Sequence, residues 1–146
     1  MSTQHIYATH VQWKSEKIGN LTSDGFSEIE VATPVDFGGH EGIWSPEHLF
    51  VASANVCFMT TFLALAPKFG LKFHSFDSDA IGKVEKVEGK GFEVTEIMLK
   101  PKVVIEDSKD EAKALKVLAK SEKYCLISNS MKSEILMEPE VIVPFF

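Results

Sequence analysis

The first third of the chain is a series of short stretches in which apolar and polar residues alternate, the period of a strand with one face turned to a core. Residues 5–13 carry such an alternation through Ile6, Val11 and Trp13, with a slip of phase between them. Residues 20–24 run into a turn at Gly25, and Ser27-Glu28-Ile29-Glu30-Val31 alternates strictly. Together they predict an antiparallel meander. Pro34 and the pair Gly38-Gly39 then mark a loop that ends at Ser45.

Ser45-Pro46-Glu47 predicts the start of a helix. Serine caps the free amides, proline is pre-set for the first helical position, and a first-turn glutamate complements the helix dipole. The helix is expected to run to about Lys68 and to close at Gly70. Leu49, Phe50, Val51, Val56, Cys57, Phe58, Met59, Phe62, Leu63 and Leu65 spread round its circumference, so burial on every side is expected. One sheet cannot cover such a helix, which needs a second layer or a partner subunit. Ser53, Asn55, Thr60 and Thr61 interrupt the window, which reads as a core helix, and no stretch is expected to span a bilayer.

Residues 71–87 and 90–105 predict two long strands joined through Glu88-Gly89-Lys90. Ile97, Leu99, Val103 and Ile105 share a face while Phe92 and Val94 take the opposite phase, which predicts a bulge near Glu96. A second helix begins at Ser108, with Asp110 and Glu111 in its first turn and an apolar stripe of Ala112, Leu115 and Leu118. Lys113, Lys116 and Lys120 are expected on its solvated face. A further helical turn falls within residues 125–131, and a last strand covers residues 134–144. The order β-β-β-α-β-β-α-β is α+β, and no repeat or linker divides residues 1–146, which read as a single domain.

Composition narrows the function. A net charge of -6 offers no basic face to a nucleic acid or an anionic membrane surface. The N-terminus lacks the charged and apolar run of a signal peptide, so a cytoplasmic protein is expected. The histidines (His5, His10, His40, His48, His74) have no metal-ligand spacing, and no phosphate loop, dinucleotide fingerprint or nucleophile elbow occurs. Neither metal nor cofactor is expected. All 15 basic residues are lysines.

The two cysteines remain. Cys57 lies deep in the apolar helix, and Cys125 opens Cys125-Leu126-Ile127-Ser128 after the second helix. By residue type alone, each is either a small buried hydrophobe or, in a reducing compartment, half of a redox pair.

These motifs resemble the osmotically inducible protein C and organic hydroperoxide resistance (OsmC/Ohr) family. Its first helix opens with an Asn-Pro-Glu-x-Leu type motif and reaches a cysteine ten residues after the glutamate, as Ser45-Pro46-Glu47-His48-Leu49 and Cys57 do here. Its second cysteine heads a Cys-Pro-x-Ser type motif, matched by Cys125 to Ser128. The resemblance implies an OsmC-like α+β fold in an intertwined homodimer with the Cys57 helix buried at its centre. It implies reduction of organic hydroperoxides, with Cys57 attacking, Cys125 resolving, and a dithiol reductant such as a lipoylated protein. It also implies a catalytic role for Glu47. Ten residues of helix span roughly 15 Å, so Glu47 would serve the cysteine of another subunit; the alternative is a charge that merely favours the helix dipole. The family pairs its glutamate with an arginine. Lys17 falls at that slot in the Ohr-like pattern and the neighbourhood of Phe37 in the OsmC-like one, while Leu126 stands where proline is expected. The rival function is a non-catalytic relative that binds a small apolar ligand or senses oxidation at the dimer interface.

Overall fold

A computed structural model describes residues 3–144. The chain divides into two compact units, Met1–Leu49 and Phe50–Phe146.

In the first unit, strands β1 (His10–Ser15), β2 (Ile18–Thr22) and β3 (Ile29–Ala32) form the expected antiparallel meander in that order. β1 starts at His10, five residues later than the alternation suggested, and β2 starts at Ile18. The pairing closes directly on a tight turn in which Glu16 takes a φ of 50° and its carbonyl accepts the Trp13 Nε1–H at 2.9 Å. The Gly38-Gly39 loop is required by geometry. Gly38 has a φ of 79°, and a Cβ on Gly39 would collide with the Thr33 carbonyl oxygen. Lys17 Nζ donates to the Gly38 carbonyl at 2.9 Å, tying the first hairpin to this loop.

Helix α1 (Pro46–Lys68) begins as expected. Ser45 is fully buried; its Oγ accepts the His48 N–H at 3.1 Å and shares a second hydrogen bond with His48 Nδ1 at 2.7 Å. The helix ends before Gly70, which has a φ of 68°.

In the second unit, β4 (Phe73–Val87) and β5 (Gly91–Ile105) form a long antiparallel pair. Lys83 pairs with Glu96 and Val84 with Val94, leaving Thr95 as the extra residue of a bulge, where the change of apolar phase placed it. The last strand is two strands, β6 (Glu134–Met137) and β7 (Glu140–Ile142), both parallel to β5. The break falls at Pro139, which has no N–H for the ladder.

The faces of β4 and β5 that carry Phe73, Phe76, Ile97, Leu99, Val103 and Ile105 hold the core with α1 and α2 (Glu111–Lys123). Phe62 stacks on Phe73 and Phe76 with ring centroids 5.0 and 4.8 Å apart, and Phe58 lies 5.8 Å from Phe76. Gly82 permits close contact between sheet and helix, because a Cβ there would strike Val51 Cγ2.

Two further expectations, on the stripe of α2 and on the apolar length of α1, are corrected here. α2 is preceded by a 3-10 turn, Ser108–Asp110, capped by Asp107, and its buried residues are Ala114, Val117, Leu118 and Ser121. That set follows the 3.6-residue period, whereas Ala112-Leu115-Leu118 drifts off it, and Leu115 is exposed. The lysine face is open to solvent as expected, Lys116 being exposed, and the Lys116 and Lys120 amines also sit 5.9 and 5.8 Å from the Phe69 ring centre. Within one chain α1 is covered on one side only, as expected of a helix that one sheet cannot enclose. Ala54, Phe58, Phe62 and Ala66 are buried, while Val56, Met59 and Leu63 are exposed, because a single sheet reaches one face of a helix. By length and composition α1 is also apolar enough to cross a membrane, contrary to the reading of its polar interruptions.

Candidate active site

Cys57 sits midway along α1, next to the buried stripe that Ala54 and Phe58 form, and keeps part of its surface open. Cys125 follows α2 and stands at the N-cap of a single helical turn, α3 (Leu126–Asn129), as the short apolar segment predicted. The Cys125 thiol is fully buried, with Sγ 3.9 Å from the Ala54 carbonyl oxygen, one turn of α1 before Cys57. Folding therefore brings together the two sulfurs that the sequence keeps far apart. They lie within hydrogen-bonding reach of each other, and both are free thiols.

Their surroundings push them in opposite directions. Burial alone would raise the Cys57 thiol. It is outweighed by the backbone N–H of Ile127, the Cys125 thiol, the Thr61 hydroxyl and the backbone N–H of Leu126, which together hold Cys57 below the ordinary thiol value. Burial raises Cys125; a hydroxyl and an N–H from Ser128 oppose the rise, and the adjacent Cys57 adds to it. A thiolate on Cys57 is thus favoured over one on Cys125. Thr61 contributes modestly, since its Oγ1 is 3.9 Å from Cys57 Sγ and its hydroxyl hydrogen goes to the Cys57 carbonyl at 2.7 Å.

The donors that stabilise Cys57 include amides of the Leu126-Ile127 backbone, and the sequence reading did not locate them. The signal was present in the residue types only as the short Cys-x-x-Ser turn that begins with Cys125.

The remaining expected site residues lie in the first unit. Glu47 is in the first turn of α1; its Oε1 is buried and has no hydrogen-bond partner among the described residues. Lys17 spends one of its donors on Gly38. The same unit holds an apolar groove of about 500 Å³ lined by Val11, Trp13, Leu21, Val31, Pro46 and Leu49, among others.

The family model described as OsmC-like protein matches residues 38–140, a stretch that contains Glu47 and both cysteines. The chain belongs to the OsmC-like family. Among solved structures, an OsmC-like protein of unknown function from Vibrio cholerae has a TM-score of 0.86 and 25% identity, covering 93% of this chain and 99% of that one. An organic hydroperoxide resistance protein from Elizabethkingia anophelis has a TM-score of 0.77 and 21% identity, covering 99% and 100% of the two chains. An uncharacterised protein of Acinetobacter baylyi is 27% identical over 142 residues, 95% of each chain. The OsmC-like membership accounts for the mixed α+β architecture.

Proposed function

We propose that this OsmC-like chain is a cytoplasmic, cofactor-free thiol peroxidase that reduces organic hydroperoxides to alcohols. What supports it most is a partly open Cys57, held below the ordinary thiol value by its neighbours, set beside a Cys125 that burial pushes up. The Cys57 thiolate attacks the distal oxygen of the hydroperoxide, the O–O bond breaks, and the leaving alkoxide takes a proton to become the alcohol. Cys57 is left as a sulfenic acid. The Cys125 thiol condenses with it, water leaves, and a Cys57–Cys125 disulfide forms. An external dithiol, such as a lipoylated protein, then reduces the pair by exchange.

The whole chain acts as one domain in this reading, and two copies associate. The exposed apolar stripe of Val56, Met59 and Leu63 favours a partner over α1. The unpartnered Glu47 Oε1 supports a carboxylate completed by, and serving, the second copy.

The test is intact-protein mass spectrometry after one equivalent of cumene hydroperoxide, followed by turnover with a dithiol. A loss of two hydrogens that maps to a Cys57–Cys125 disulfide, with catalytic turnover, is the expected result. No mass change overturns the proposal. A second reading, a protein that binds a small apolar ligand or senses oxidation, is favoured by the apolar groove of the first unit. Disulfide formation without turnover would select the sensor.

A further inference from the structure

Ser128 carries a buried hydroxyl beside the resolving cysteine. The residue is 6% exposed, and its Oγ has no hydrogen-bond partner among the described residues. A hydroxyl removed from water in this way is unfavourable unless some state of the protein satisfies it. Cys125 is the N-cap of α3 and Ser128 its third residue, the two positions that a helix's first turn folds toward each other. The sulfur it attends is that of Cys125. A neutral thiol sulfur is a weak acceptor, whereas a thiolate is a strong one. The hydroxyl therefore gains most when Cys125 carries a charge.

The exposures of the two sulfurs say when that happens. Cys125 has no accessible surface and Cys57 has some, so an incoming thiolate that meets their disulfide must attack Cys57. The new S–S bond forms on Cys57, the Cys57–Cys125 bond breaks, and the electron pair leaves on Cys125. A leaving thiol departs more slowly as its pKa rises, and burial makes Cys125 a poor one. We propose that the Ser128 hydroxyl donates to the Cys125 sulfur as it leaves, and so sets the rate at which the oxidised protein is reduced. The inference rests on the peroxidase reading only in requiring that the disulfide form. The second thiol of the dithiol then displaces Cys57 from the mixed disulfide. The dithiol is oxidised, the protein pair is reduced by two electrons, and a proton shed by the dithiol reaches Cys125.

The experiment compares wild type, Ser128→Ala and Ser128→Thr, each oxidised with diamide and then reduced by dithiothreitol in a stopped-flow instrument. Using diamide makes the test independent of peroxide chemistry. Loss of a hydrogen bond to an ionised group predicts about tenfold slower reduction for Ser128→Ala, with the threonine variant close to wild type. Ser128→Ala should slow the reduction of the disulfide by a larger factor than it slows the consumption of cumene hydroperoxide by reduced Cys57. Reduction within twofold of wild type, or equal slowing of both half-reactions, overturns the inference. A wild type that forms no Cys57–Cys125 disulfide with diamide overturns the peroxidase reading and this inference together. A disulfide that forms while peroxide is ignored removes the peroxidase alone.

Discussion

Leu126→Pro tests the source of the Cys57 thiolate with almost no other disturbance. Leu126 is the first residue of α3, where proline is tolerated because that amide has no partner within the turn. Cys125, before it, already has φ -68° and ψ 112°, the extended conformation that a following proline demands. The leucine side chain is 68% exposed, so little packing is lost. What disappears is one N–H that lowers the Cys57 pKa. A hydrogen bond to an ionised group contributes about 1.5–3 kcal/mol. Cys57 is partly open to water, so the lower end applies, which reduces the thiolate fraction at neutral pH about tenfold. A more basic thiolate is also more nucleophilic: a Brønsted slope of about 0.4–0.5 returns about threefold. The net expectation is a neutral-pH rate about threefold lower. At alkaline pH, where Cys57 is fully ionised, the plateau rate should be about threefold higher. The assay is the pH dependence of the first thiol's reaction with an aromatic disulfide, with Cys57 labelling verified by mass. Opposite changes at the two ends of the profile are a signature that general loosening of the fold does not produce. Unchanged rates at both ends, or a midpoint shifted to lower pH, would refute the role given to this amide.

Cys57→Ser should abolish hydroperoxide turnover, while Cys125→Ser should complete one round and retain a sulfenic acid that a dimedone probe captures. Gly82→Ala should destabilise the fold by about 1–3 kcal/mol through its clash with Val51, and Val51→Ala added to it should recover part of that loss in a denaturant titration. Leu63→Glu places a charge in the exposed apolar stripe of α1 and should yield a monomer in sedimentation analysis, with unaltered secondary structure.

Much of the fold was legible because its signals are local. Ser45-Pro46-Glu47 announces α1 through capping chemistry confined to four residues, and the change of apolar phase around Glu96 announced the Thr95 bulge. The split of the last strand was less visible, since Pro139 interrupts a ladder only once its partner is known to be β5. The buried stripe of α2 differs from the expected one because a 3-10 turn precedes the helix and Ala112-Leu115-Leu118 strays from the 3.6-residue period. For the site, the two cysteines were readable as residue types. Their contact was implied only by the family resemblance, since nothing local says which distant segments fold together. The amides of Leu126 and Ile127 were invisible for a different reason: every residue but proline carries one, and only the turn aims them at Cys57. In a chain without arginine, that turn supplies donors that side chains elsewhere do not advertise.

The position of Cys125 against the Ala54 carbonyl has a mechanical consequence as well. A covalent bond at that point would lash the end of α2 to the middle of α1 and close a loop from residue 57 to residue 125. Restricting the unfolded chain in this way contributes about 4 kcal/mol, a large share of the roughly 5–15 kcal/mol that keeps a domain folded. The peroxide-treated protein should then melt later and resist trypsin longer than its reduced counterpart. Oxidation, usually an injury to a protein, would here leave the sturdier molecule, and exposure to oxidant would be recorded in how long each copy survives.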